Sequence, residues 1–334
     1  MSPPLSRAEK RIADARGVLV DLRSGKPGHD DPADGQNWGA ERTVSAGFLC
    51  NLISQAGRSG QDRARGQGTR AIRVRGARIT GAIDVENRDV ACLIRLEDCY
   101  FDEPVILRLA RAVEVALPGC HLPAVRAVQA EIRGNLILDR ITATQVDLRG
   151  ASVGGVLSLD GATLNNPGGV TLAGGALAVG QGMSCGSGFT STGTIELSDA
   201  RFPQGLSFTG ATLVNDTSIA LDAQGMQVGA YLFLGSSLHN REGFTAKGGL
   251  RLVGVHVDGY VCCWAADIRG VDGPAGPGYA ILGLGLSITQ NLMLSEGFRA
   301  TGEMYLTGAR IGEEAQSAWP ARRWATRSTS PGLS

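Results

Sequence analysis

Aromatic side chains are scarce in this chain of 334 residues, only 5% of the total, which excludes a core built on large rings. No stretch reaches the roughly 18 consecutive apolar residues of a membrane-spanning helix. The first residues, "MSPPLSRAEKRIADARG", hold no apolar segment, so no secretory signal is expected. Neither sign of charge dominates, with 32 Lys+Arg against 32 Asp+Glu. No basic stripe with interleaved aromatics is present, which argues against direct nucleic-acid binding. None of the seven cysteines belongs to a Cys-x-x-Cys pair. An odd number without metal-type spacing points to reduced thiols and a cytoplasmic location. What the chain does have is 48 glycines and abundant aliphatic residues, a composition that suits many short strands joined by tight turns rather than disorder.

The aliphatic residues keep a fixed cadence. In "GARITGAIDV" (76–85) the apolar positions are Ala77, Ile79, Ile83 and Val85, and the pattern returns in "GASVGGVLSL" (150–159), "DARFPQGLSF" (199–208) and "GVHVDGYVCC" (254–263). Pairs at i and i+2 have strand spacing, with side chains alternating inside and out. Taking the second residue of each pair as a marker, the series from Leu117 runs Leu122, Ala127, Ile132, Leu138, Ala143, Leu148, Val153, Leu159 and Leu164. Steps of five or six residues return after four, about 21 residues apart, as from Ile132 to Val153. A helix would show apolar spacings of three and four, and a hairpin sheet has no reason to return every four strands.

This periodicity predicts a four-sided parallel solenoid whose coils stack at about 4.8 Å and bury their core only through their neighbours. One inward column is expected through Ile132, Val153, Val179, Phe202, Val228, Val257, Ile288 and Ile311, extended backwards by Ile79, Phe101 and Leu122. Some ten coils at that spacing make a rod on the order of 50 Å long. Small residues two places before a marker, such as Ala77, Cys99, Cys120, Ala151, Ala200 and Ala309, fit the corners of a narrow tube.

In "VDLRGASVGG" (146–155) and "FTGATLVN" (208–215) the sequence resembles the pentapeptide-repeat family, whose units read roughly A-x-L-x-x. The resemblance covers about residues 71–315 and is interrupted by six-residue steps and insertions. It implies an all-β, right-handed quadrilateral β-helix. Some members of the family mimic DNA and protect type II topoisomerases. Residues 71–315 hold 18 Lys+Arg and 24 Asp+Glu, a mild acidity that falls short of the dense negative face such mimicry requires.

Outside the repeats, 5–17 and 43–57 read as short helices, the second with Thr43 as N-cap and Gly57 at its stop. Residues 1–70 are expected to form a helical cap over the first coil, and 316–334 a disordered basic tail. Nothing after Ile311 has an apolar face to cover the last coil, so a homodimer through that end, at about 300–315, is expected. Peripheral membrane contact through Trp319, Arg322, Arg323 and Trp324 rests on very few residues.

Insertions after Leu164, Leu213, Leu238 and Ile268 are expected on one edge of the square section, forming a ridge of loops. Its candidate binding residues are His239, Arg241, Glu242, Asp267 and Asp272, and deleting 240–247 is expected to spare the fold. His256 and Asp258 flank the inward Val257, and Ser287 lies one coil on, so a Ser-His-Asp set is conceivable on an outer face, although outward polar residues are the ordinary case. Cys99, Cys120, Cys185 and Cys263 read as small core residues, Cys262 as an outward free thiol. No cofactor and no metal is expected. Two functions follow: a non-catalytic scaffold binding a protein partner through a face or the ridge, or a β-helix enzyme of the lyase, isomerase, cyclase or hydrolase type with its site at the ridge or the His256/Asp258/Ser287 face.

Overall fold

The structure, a computed structural model, describes residues 4–58, 71–236, 242–271 and 278–312. From residue 71 every described strand pairing is parallel, and each strand pairs with the equivalent one in the coil before and after. Four inward columns define four faces. Face 1 runs Ile72, Ile94, Val115, Leu136, Leu157, Met183, Leu206, Leu232, Val261, Leu292, a series of ten coils. Face 2 follows along the chain, through Ile79, Phe101, Leu122, Ala143, Leu164, Ser191, Leu213, Ala246, Ile268 and Ala300. Face 3 begins Ile83, Val105, Val125, Val146 and continues to Met304. Face 4 carries the expected column from Ile132 to Ile311.

One expected join is wrong. Ile79, Phe101 and Leu122 belong to face 2, and face 4 instead extends backwards through Ala112 and Val90. The reason is spacing: Leu122 stands ten residues, two steps, before Ile132 and so lies half a turn away on the opposite face.

The glycine content has a geometric cause at the corner between faces 3 and 4. In all ten coils the turning residue there has positive φ: Asn87, Leu109, Gln129, Ala176 and Asp199 lie between +53° and +57°, and glycine fills the other five stations. This left-handed conformation is open to glycine and costs any residue with a Cβ, asparagine and aspartate least.

The N-terminal residues meet the first coil. Val20–Asp21 pairs with face 1 at Val74 and Arg75, and Thr43–Ser45 pairs with face 2 at Arg78–Thr80. Helix α1 (Arg7–Asp14) starts from a capping box between Ser6 and Glu9. Helix α2 (Ala46–Arg58) buries Leu49 and Ile53. Its first turn is capped by Ser45, whose Oγ accepts from the Phe48 N–H at 3.2 Å, and not by Thr43, which is in a strand. Arg42 ties this region down: its guanidinium is buried, donates to Gly76 O at 2.7 Å, pairs with Asp30 at 2.7 Å and stacks over Trp38.

The far end differs. Inward side chains of the middle coils are almost fully buried, whereas Leu292, Leu294, Phe298, Met304, Leu306 and Ile311 are only partly so.

Leu159 is inward and fully buried, while Ser152 is outward and exposed. Leu159→Asp is expected to abolish the thermal transition, since it buries an unpartnered carboxylate. Ser152→Asp should change stability by less than about 0.5 kcal/mol, read by chemical denaturation. Ser158, which alternation alone marks as a free outward site, does not serve as that control: it is buried and donates to the Asp139 carboxylate.

Candidate functional site

Three of the four insertions lie on one edge, the corner between faces 2 and 3, and they do so in every second coil. Asn165 to Val170, Val214 to Ile219, and Arg269 to Tyr279 are the three places where the chain leaves the ladder before rejoining it. They belong to coils five, seven and nine, so the loops are two coil steps apart, about 10 Å. The intervening coils cross the same corner in three residues, Thr192–Gly193–Thr194 and Lys247–Gly248–Gly249 among them.

Each tight crossing has a glycine at the same station, two residues after the inward marker. Gly193, Gly248 and Gly302 have φ of +132°, +120° and +115°. A Cβ on Gly193 would stand 2.5 Å from Asn166 O, one on Gly248 2.9 Å from Ser218 O, and one on Gly302 2.4 Å from Gly278 O. Each therefore braces the base of the loop in the coil before it. Asparagine amides close the loops from the other side. Asn166 Nδ2 donates to Val170 O at 3.0 Å, and Asn215 Nδ2 donates to Ile219 O at 3.0 Å and to Thr194 Oγ1 at 2.9 Å. Ser191 occupies an inward station because its hydroxyl pairs with that of buried Thr171 at 2.6 Å.

The fourth insertion is displaced. The residues that flank it, Leu234 on face 1 and Ala246 on face 2, place it at the preceding corner. His239, Arg241 and Asp272 lie outside the described residues. Glu242 is exposed at that preceding corner, against Gly210. Asp267 is at the foot of the third ridge loop, where a bidentate contact from Arg269 (2.6 Å) holds its carboxyl below the usual range. Deleting 240–247 would remove fully buried Phe244 and Ala246, so the expected tolerance is corrected: that segment is core.

On face 4, His256 Nε2 and Asp258 Oδ1 lie 2.7 Å apart, both exposed. Ser287 is the register partner of His256, yet no hydrogen bond joins them. Farther back on this face a shallow cleft of roughly 540 Å³ is floored by Ser152, Gly154, Ala178 and Gly180 and walled by Glu131 and Arg133 on one side and Arg201 and Pro203 on the other. It touches neither the ridge nor His256.

The cysteines are all unpaired. Cys99 and Cys120 stack in adjacent coils with their thiols turned to backbone carbonyls, while His121 faces out and stacks on Tyr100. Cys262 is outward in register but fully covered, so the expected accessible thiol is corrected. Burial raises the Cys92, Cys120 and Cys262 thiols, Cys92 to about 11. Among the described residues no three metal-binding side chains converge.

Two features went unnoticed in the sequence. Threonines 142, 163, 190, 212 and 245 form one outward ladder on face 2, legible as a threonine before successive markers. Tyr231, Phe233 and Tyr260 form one ring cluster on face 1.

No protein-family model matches this chain, and no curated protein is significantly similar to it.

If the glycines brace the ridge, Gly193→Val and Gly248→Val should each cost about 2 kcal/mol or more, since both backbone and space forbid a side chain. Gly168, at a loop tip with open space around it, should accept asparagine within about 0.5 kcal/mol despite its positive φ. Equal losses at tip and crossing, measured by urea denaturation, would contradict the brace.

Proposed function

We propose that this chain is a non-catalytic β-helical scaffold that binds a protein partner through its loop ridge. The observation that carries this reading is the alternation: loops in every second coil, each backed by a glycine whose Cβ would strike the loop base. Insertions accumulated by drift would have no reason to keep a fixed spacing or a matched brace. A rigid rod that holds polar loops at regular intervals presents them without an ordering cost on binding. The candidate residues are then Asp267 at the foot of the third loop and Glu242 at the neighbouring corner, with His239, Arg241 and Asp272, outside the described residues, as further candidates. The diverged pentapeptide-like repeat supplies the right-handed coil, residues 1–70 its cap, and the unpaired cysteines fit a reducing, cytoplasmic setting. The enzymatic alternative draws on one observation, the His256–Asp258 contact, which orients the imidazole on an open face.

The second element of this reading is a homodimer through about residues 300–315. It is supported by the half-exposed apolar residues of the last described coil, where Met304, Leu306 and Ile311 have no coil beyond them among the described residues. A second copy meeting end to end would cover both ends by an isologous contact.

Two measurements test this. Replacing 165–169 and 214–218 with the three-residue crossing Thr-Gly-Thr should leave far-UV circular dichroism unchanged and remove a crosslinked protein partner that Arg133→Ala/Arg201→Ala protein retains; an unchanged partner set would overturn the ridge. Light scattering at tens of micromolar should give a dimer that Leu306→Glu converts to monomer, and a wild-type monomer would overturn the end contact.

A further inference from the structure

Face 1 changes character along the rod. Its outward residues in the first coils include Arg73, Arg75, Arg95, Glu97 and Glu114. From the sixth coil to the tenth they are Gly182 and Ser184, Gly205 and Ser207, Tyr231 and Phe233, Tyr260 and Cys262, Asn291 and Met293, without a single charge, and the last carboxylate before them, Asp160 of the fifth coil at the station of Arg75 and Glu97, accepts from Ser184. In the middle of this neutral strip the rings of Tyr231, Phe233 and Tyr260 pack with centroids 4.8, 5.8 and 6.4 Å apart, all half-exposed. Gly205 makes the platform possible: the Tyr231 ring lies over it, 2.7 Å from where a Cβ would stand. Gln204 and Ser207 border the rings on one side, Gln290 and Asn291 on the other, while Asp258, two residues before Tyr260, is engaged by His256.

We propose that this platform binds a neutral carbohydrate chain. Aromatic faces carry negative charge density and attract the C–H faces of a pyranose ring, and flanking amides and hydroxyls can donate to and accept from sugar hydroxyls. Two polar atoms buried at the margin of the strip, the Trp264 indole N–H and the Asn291 amide oxygen, have no hydrogen-bond partner among the described residues. A nucleic acid would need cations beside the rings, and a charged protein surface would need complementary charge; the strip supplies neither. The absence of charge therefore selects a ligand that is itself uncharged, and the row of coils selects one that is extended. The site is separate from the loop ridge and stands or falls independently of it.

Affinity gel electrophoresis of the full chain through xylan, hydroxyethylcellulose and dextran tests it, with polygalacturonate as the anionic comparison. At least one neutral polymer should retard the protein, and the effect should survive 0.5 M salt. Tyr260→Ala and Tyr231→Ala should weaken binding roughly tenfold, as expected for loss of one stacking ring. Tyr260→Phe keeps the ring and should bind within about threefold, which separates stacking from misfolding, and Gln227→Ala on face 4 should bind as wild type. No retardation by any neutral polymer, retardation by polygalacturonate alone, or retention in Tyr260→Ala would overturn the proposal.

Discussion

Everything in this molecule depends on one contact, that between an inward side chain and its equivalents in the coils before and after. A single coil is too thin to bury anything by itself, so its Leu, Val or Ile leaves water only when stacked. The backbone obeys the same constraint, because every strand of two or three residues makes its hydrogen bonds to neighbouring coils. Four uninterrupted inward columns follow, and with them four outer faces whose side chains are left free of the core. The two ends follow as well. Val20–Asp21, Thr43–Ser45 and α2 meet the first coil, whereas the last described coil keeps Leu306 and Ile311 half-exposed.

That constraint also decides where the chain can vary. An insertion must leave and rejoin the ladder at a corner, and the coil beneath must make room for it. Gly193 and Gly248 are the price of two such insertions: without a Cβ, each lets the preceding loop sit directly against backbone. Alternate coils thus take complementary roles, one carrying a loop and the next supporting it. The outer faces, free of that duty, differentiate by composition alone, as in the passage of face 1 from Arg73 and Glu97 to Tyr231 and Tyr260.

Most of the architecture was legible in the sequence because inward stations demand apolar residues at a period no helix shares. The column from Ile132 to Ile311 is the clearest case. Legibility failed where two apolar columns half a turn apart were joined, as with Leu122 and Ile132, and where a hydrogen bond replaced apolar contact, as at Ser191 with Thr171. It failed again at Ser158, outward by alternation yet buried against Asp139 in the neighbouring coil. The ridge was half legible: insertion lengths were visible, but the alternation needed coil-to-coil register, and the bracing glycines looked like any others among 48. The threonine ladder is legible as a threonine before successive markers, whereas the ring cluster needs that register, since Tyr260 joins Tyr231 and Phe233 from the next coil.

The stacking itself is open to direct measurement by pulsed electron–electron resonance between spin labels at Glu131 and Arg310, outward residues of the same column in the third and tenth coils. Seven coil steps predict a backbone separation of about 34 Å, and moving the first label to Ser152 should shorten it by about 5 Å. A separation well below that value, or one unchanged by the shift of one coil, would contradict a rod of parallel coils in this register.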